Sequence, residues 1–125
     1  MKDFISQATD RTPKITGKAN TGEIRIEGRS LPEDARVFYR PFQEWLLEIL
    51  QSNISEINAE FCLEYFNTAT SKILVDFMLT LDNSSAHKNI SVIWEYDEDD
   101  KEMAEVGHDF KDMLGSIIQL KTKSR

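Results

Sequence analysis

Three stretches of the chain alternate apolar and polar residues one by one, and this pattern constrains the fold more than any other feature. The longest stretch covers residues 57–65, and shorter ones cover residues 23–27 and 90–96. Because successive side chains of a strand point to opposite faces, each stretch predicts a β-strand with one apolar and one polar face. Residues 14–17 and 117–120 are weaker strand candidates. We therefore expect a sheet that buries one face and exposes the other to water.

Apolar residues at helical spacing lie between these strands. Three segments repeat apolar residues every three or four positions and predict amphipathic helices, represented by Phe42 and Trp45, by Phe77 and Leu81, and by Phe110. Strand–helix–strand order favours parallel neighbours joined by right-handed crossovers. The prediction is a two-layer α/β domain spanning residues 1–125, with a mixed sheet of four or five strands and about three helices packed on one face. Residues 1–12 are expected to form a loose N-terminal arm.

Two features predict where the first helix begins and whether it is straight. Ser30, followed three residues later by Glu33, fits a capping box with the serine as N-cap. Pro41 stands inside the same helical pattern and disfavours helical geometry at Arg40. We therefore expect a helix that starts at Ser30 and is kinked, or split in two, near Pro41.

The charge of the chain excludes some partners and is unevenly distributed. The formal net charge is −7, which argues against binding to nucleic acid or to an anionic membrane surface. Most of the excess lies in residues 95–105, which hold seven acidic residues and one lysine. No apolar run is long enough to span a membrane, no signal peptide is evident, and Cys62 is the single cysteine. The cytoplasm is the expected compartment.

Catalysis has little support in the sequence. His87 and His108 lack metal-ligand spacing to another histidine or cysteine. Cys62 lies on the polar face of a predicted strand between Glu60 and Glu64, and nearby carboxylates raise the pKa of a thiol. We therefore predict no enzymatic activity, no catalytic residue, no metal site and no cofactor.

The acidic run at residues 97–100 has two interpretations. Asp99 or Asp100 could cap the third helix, where acidic neighbours suit the positive end of the helix dipole. A divalent-cation site is the less favoured reading, because the run lacks the spacing of an EF-hand loop. An acidic docking patch for a protein partner, formed by Asp97, Asp99 and Asp100, is compatible with either.

Residues 67–72 are the most informative segment, because hydroxyls cluster where the longest strand turns into a helix. Helix capping by Asn67 or by one hydroxyl explains part of the pattern. The alternative is a phosphoacceptor, since a helix N-terminus favours phosphate and Lys72 adds a nearby cation. Partner-binding candidates at this corner are Asn67, Thr70, Ser71 and Lys72.

Three sequence motifs carry a resemblance to a known family. They cover residues 21–35 with their continuation to Trp45, residues 63–72 (Leu-Glu-Tyr-Phe-Asn-Thr-Ala-Thr-Ser-Lys), and residues 94–110, which begin Trp-Glu-Tyr-Asp-Glu-Asp-Asp. In this order, and across about residues 12–120, they resemble the SiaC-like family of bacterial biofilm-regulating phosphoproteins. The resemblance implies a fold like that of the STAS domains.

The resemblance also implies a function and a phosphorylation site. Family members act in a partner switch with a protein kinase and a PP2C-type phosphatase, and the family's phosphorylated residue falls on Thr68. The unphosphorylated form would bind and activate a diguanylate cyclase and so control cyclic di-GMP and biofilm formation. Ala69 stands where the family usually has serine. The alternative is an anti-sigma-factor-antagonist-like or constitutive protein-binding module that uses the acidic segment.

Overall fold

The protein folds as one six-stranded sheet with a layer of helices, seen in a computed structural model that describes residues 1–123. The order of elements is β1 (Phe4–Ser6), β2 (Lys14–Gly17), β3 (Glu23–Ser30), α1 (Ala35–Leu50), β4 (Glu56–Phe66), α2 (Thr68–Ser84), β5 (Asn89–Asp97), α3 (Lys101–Leu114), a 3-10 turn (Gly115–Ile117) and β6 (Ile118–Lys123). The last two residues of the predicted domain, Ser124 and Arg125, lie outside the described residues.

The strands lie in the sheet in the order in which they occur along the chain. β1, β2 and β3 pair antiparallel, whereas β3, β4, β5 and β6 pair parallel. Each parallel connection contains one helix, because parallel neighbours need a crossover that a short turn cannot supply. The predicted mixed sheet with three helices is confirmed, and the strand count is six rather than four or five.

The additional strand is β1, which lies within the expected loose arm. Its three residues pair with β2, and Trp45 donates its indole N–H to the carbonyl of Lys2 at 2.8 Å. The ring of Phe4 lies 5.5 Å from that of Phe42. A strand of three residues is too short to show an alternating pattern, so the sequence could not reveal it.

The core lies between the helices and one face of the sheet. Alternate strand residues such as Ile26, Phe61 and Trp94 are buried there, and they are neighbours in register across β3, β4 and β5. The opposite face is polar: Arg25 lies within 3.5 Å of Glu60 and within 3.8 Å of Glu95, on the two following strands. The predicted division into a covered and a solvated face is therefore observed.

The first helix begins later than the capping-box pattern predicts. Asp34 is the N-cap, and its carboxylate accepts the backbone N–H of Val37 at 3.2 Å. Ser30 is instead the last residue of β3, paired with Phe66 of β4, and it is completely buried. The prediction was wrong because strand pairing with distant residues continues through Ser30, and a local pattern does not contain that information.

Pro41 does not split the helix in two, which removes one of the two predicted outcomes. α1 is assigned as one helix from Ala35 to Leu50 with Pro41 inside it. Proline has no N–H to donate to the carbonyl four residues earlier, that of Val37, and this helix tolerates the loss. Its buried residues, including Phe42, Trp45 and Ile49, pack into the core, and this packing favours the continuous helix.

Candidate phosphorylation site and docking groove

Thr68 is the first residue of α2 and lies where β4 ends. Its side chain is exposed, as a modification site requires. Asn67 caps the helix, since its side-chain oxygen accepts the backbone N–H of Thr70 at 2.9 Å. The predicted strand-to-helix corner and its cap are both observed. The first backbone N–H groups of a helix have no intrahelical partner, so negative charge on Thr68 would meet a favourable dipole.

The corner is anchored to the end of β3. The backbone N–H of Asn67 donates to the carbonyl of Ser30 at 3.0 Å. The side-chain amide of Asn67 also lies 3.5 Å from the carbonyl of Pro32, a long contact. Two segments that are more than thirty residues apart in sequence are thus joined next to the candidate phosphoacceptor.

The structure separates the remaining candidates at this corner. Thr70 is completely buried, so it does not belong to the surface that a partner could read, contrary to prediction. Ser71 is partly exposed, and its hydroxyl donates to the carbonyl of Thr68 at 2.8 Å. Lys72 is exposed and lines the same groove as Thr68. Thr70 is the third residue of α2. Its side chain therefore points towards the core when that of Thr68, the first residue, faces the solvent.

A groove of about 680 Å³ lies between the segment that begins α1 and the N-terminal half of α2. Its walls are formed by Glu33, Asp34, Ala35 and Arg36 on one side, and by Thr68, Ala69, Lys72, Ile73 and Asp76 on the other. Three acidic and two basic side chains give these walls a small net negative charge. No sequence signal marks the start of α1 as part of a site, because only the parallel pairing of β3 with β4 brings the two helix starts together.

The described residues that line the groove include no histidine and no cysteine. Neither His87 nor His108 lines it. No group of three or more histidine, cysteine or acidic residues able to hold a metal occurs between residues 1 and 123. What the site does offer is an accessible hydroxyl beside a charged, two-walled depression, which suits modification and recognition by another protein.

The acidic segment lies at the same edge of the sheet as Thr68, because the carboxyl ends of parallel strands share one edge. Asp100 caps α3 by accepting the backbone N–H of Met103 at 3.1 Å, as predicted. Asp99 is exposed, and Asp97 closes β5 opposite Lys123 of β6. Within this predicted docking patch, Asp99 therefore presents the most accessible carboxylate.

Cys62 occupies the polar face of the sheet, away from the groove. Its thiol lies 3.2 Å from a carboxylate oxygen of Glu95 and accepts a hydrogen bond from the amine of Lys123 at 3.1 Å. Burial raises the pKa of the thiol, and the carboxylate of Glu95 raises it further, whereas Lys123 lowers it. The predicted direction is observed, but burial is the largest cause and the carboxylate belongs to a neighbouring strand rather than to Glu60 or Glu64. A thiol held in this way is a poor nucleophile.

Comparison with known proteins identifies the family. The family model described as SiaC family regulatory phosphoprotein matches residues 6–123. The chain belongs to the SiaC family. The resemblance of the three sequence motifs is thereby confirmed.

Relatives of this family member occur in Pseudomonas aeruginosa. An uncharacterised protein of strain UCBPP-PA14 is 25% identical over 113 residues, which are 90% of each chain. The crystal structure of apo-SiaC from P. aeruginosa superimposes with a TM-score of 0.89 at 23% identity, covering 97% of this chain and 99% of that one. SiaC in the crystal structure of the diguanylate cyclase SiaD with its activator SiaC gives a TM-score of 0.91 at 22% identity, covering 97% and 100%. At these identities the structural likeness shows a common fold.

No helix among residues 1–123 combines the length and the apolar character needed to cross a membrane.

Proposed function

We propose that this SiaC-family chain is a regulatory phosphoprotein without catalytic activity of its own, whose unphosphorylated form binds and activates a diguanylate cyclase. The observation that carries the proposal is the position of Thr68, exposed at the start of α2 and on the rim of the α1–α2 groove. Support for the effector comes from P. aeruginosa SiaC, which is the activator of the diguanylate cyclase SiaD. The circuit would operate in the cytoplasm and control cyclic di-GMP and biofilm formation.

Phosphorylation would change the groove mainly through charge. A phosphate adds about −1.5 to −2 charges at neutral pH. The groove walls already carry more negative than positive charge, with the acidic residues Glu33, Asp34 and Asp76 and the basic residues Arg36 and Lys72. A partner surface that fits the unmodified groove would then contact a phosphate without offering it a counter-charge. Binding would remove water from that phosphate, which is strongly unfavourable. A hundredfold loss of affinity corresponds to about 2.7 kcal/mol, a small demand on such a group.

The remaining parts of the circuit follow from the family resemblance. A protein kinase would phosphorylate Thr68 and a PP2C-type phosphatase would remove the phosphate. Asn67, Ser71 and Lys72 shape the exposed corner that these partners would recognise, whereas the buried Thr70 acts from beneath it.

The test compares binding to the purified diguanylate cyclase across variants of the corner. Thr68→Ala should bind and activate the cyclase and resist the kinase. Thr68→Asp should bind more weakly, though less weakly than phosphorylated protein, because a carboxylate has fewer oxygens and less charge. Thr80→Ala is the matched control, because Thr80 lies farther along α2 and outside the groove walls, and it should behave as wild type. Equal cyclase affinity of Thr68→Ala and Thr68→Asp would refute the switch.

Phosphopeptide mass spectrometry on protein from its own host should place the phosphate on Thr68.

A second candidate function is constitutive protein binding, in the manner of an anti-sigma-factor antagonist, through the acidic patch of Asp97, Asp99 and Asp100. The exposure of Asp99 at the same sheet edge favours it. Asp99→Lys is the informative variant, since Asp100 is needed as the α3 cap. Loss of partner binding in Asp99→Lys, together with unaltered binding in Thr68→Asp, would support this function instead of the switch.

A further inference from the structure

Three hydroxyl groups meet in the core directly beneath the candidate phosphorylation corner. Ser30 at the end of β3, Tyr39 of α1 and Thr70 of α2 are all completely buried. The hydroxyl oxygen of Ser30 lies 2.7 Å from that of Tyr39 and 2.8 Å from that of Thr70. One hydroxyl chain thus joins the end of β3 to the two helices that form the groove.

Each hydroxyl has one proton to donate, and this sets the order of donation along the hydroxyl chain. The hydroxyl of Thr70 donates to the carbonyl of Ser30 at 3.3 Å, which uses its single proton. With that donation in place, Ser30 donates to Thr70 and Tyr39 donates to Ser30, so each hydroxyl donates once. Among the described residues no buried side-chain oxygen or nitrogen lacks a partner. A complete chain of this kind favours one geometry over alternatives.

The hydroxyl chain of Ser30, Tyr39 and Thr70 contacts the backbone on both sides of Thr68. The carbonyl of Ser30 accepts the N–H of Asn67, the residue before Thr68, as well as the hydroxyl of Thr70, two residues after it. At its other end the chain reaches Tyr39, one turn beyond the first turn of α1 that forms the opposite wall of the groove. The same three hydroxyls thus connect the backbone on both sides of Thr68 to α1, which forms the opposite wall.

We propose that Ser30, Tyr39 and Thr70 are positioning residues of the switch, which set the geometry of the groove and of Thr68 without touching a partner. The inference rests on the proposed function, because it assumes that the groove is the surface recognised by effector and kinase. When one of these hydrogen bonds is lost, only a fraction of the molecules keeps the geometry that the partner recognises. The apparent affinity is then the intrinsic affinity multiplied by that fraction.

The test is a pair of substitutions at Thr70. Thr70→Val has nearly the same shape but no hydroxyl, whereas Thr70→Ser keeps the hydroxyl. Thr80→Val is the matched control, because Thr80 lies farther along α2 and its hydroxyl donates only to the carbonyl of Asp76. The measurements are the dissociation constant for the diguanylate cyclase and kcat/KM for phosphorylation of Thr68. Both are made at a temperature where circular dichroism shows every variant folded.

The expected result is a loss of about tenfold in both quantities for Thr70→Val, corresponding to a competent fraction near one tenth. Thr70→Ser and Thr80→Val should stay within about twofold of wild type. Hydrogen exchange at the amides of Asn67 and Thr70 should accelerate in Thr70→Val alone. Tyr39→Phe removes only the terminal donor, and it should show a smaller loss in the same direction if Thr70→Val does not fold.

Different outcomes overturn different statements. Wild-type binding and phosphorylation in Thr70→Val, with faster exchange at the corner, would show that the chain serves stability only and would refute the inference. If wild-type protein does not bind the cyclase, the proposed effector is wrong, and the phosphorylation rates alone decide the inference. If wild-type protein is also not phosphorylated at Thr68, the inference fails together with the proposed function.

Discussion

Gly107 lies where α3 crosses the sheet, and replacing it with alanine is the sharpest test of the packing described above. Gly107 is a buried helical residue facing Trp94 of β5 and Leu120 of β6. A β-carbon at this position would lie 2.7 Å from Cδ1 of Trp94 and 3.0 Å from Cδ2 of Leu120. Ordinary contacts between such carbons are about 3.5–4.0 Å, so the helix or the indole must move.

The indole has little freedom to move away. Its N–H donates to the carbonyl of Met103 at 3.0 Å. The ring of Phe110 lies 5.2 Å away, and those of Phe61 and Phe66 lie 6.2 Å and 6.3 Å away. Forcing a methyl group into a packed core typically costs about 1–3 kcal/mol. Alanine is favoured over glycine inside a helix by about 1 kcal/mol, which offsets part of that cost.

The difference between the two effects predicts that Gly107→Ala lowers the free energy of unfolding by up to about 2 kcal/mol, and lowers Tm by up to about 8 °C. Thermal and urea unfolding followed by circular dichroism measure the change. The pair His108→Ala and His108→Gly, at the exposed next position, measures the intrinsic preference for alanine in the same helix. If Gly107→Ala were stabilised by the full amount that the His108 pair measures, no clash would exist, and the close approach of α3 to Trp94 would be refuted.

Three further predictions concern the cap, the buried phenol and the thiol. Asn67→Ala removes the α2 cap, and it should lower the free energy of unfolding by about 1–2 kcal/mol in urea titrations, whereas Asn67→Asp should retain most of it. Burial raises the pKa of Tyr39 to about 12 from its ordinary value of 10.0. As pH rises, the unfolded chain therefore loses this proton at a lower pH than the folded protein does. The contribution of Tyr39 to the free energy of unfolding is complete below pH 10, and about 3 kcal/mol of it should be lost between pH 10 and 12. Urea titrations over that range measure the loss, Tyr39→Phe should lack this component, and an equal loss in that variant would contradict the assignment. The thiol of Cys62 should react with Ellman's reagent at pH 8 about tenfold more slowly in the folded protein than in urea, and equal rates would contradict its burial.

The sequence predicted those elements whose signals are local. The alternation in residues 57–63 and 90–96 determines which side chains face the core, because a shift by one residue would expose every apolar group. The same holds for the cap of α3 at Asp100, where the acceptor and the N–H it satisfies are three residues apart. Tyr65, at the end of the predicted apolar face, is exposed, because the pairing of β3 with β4 shifts register after Leu63. β1 escaped prediction because its place depends on pairing with β2 and on the contact of Phe4 with Phe42, and neither is encoded in three residues.

The errors at the site have a common cause. Ser30 carries the sequence signal of a helix cap, and Thr70 belongs to a cluster that suggests an exposed corner. In the structure each hydroxyl is the partner of the other, forty residues away, and both are buried. A polar residue in a buried position is stable only with such a partner, and the partner cannot be inferred from the residue's own neighbours.

The sequence by itself determined the α/β class, the inward faces of the strands and helices, and the position of Thr68 at the junction of a strand and a helix. These depend on periodicity and capping, which act over three or four residues. Only the tertiary structure decided that the starts of α1 and α2 form two walls of one groove, and that Ser30, Tyr39 and Thr70 join beneath it. The physical reason is that parallel pairing of β3 with β4 brings these distant segments to the same edge of the sheet, and no local interaction specifies that edge.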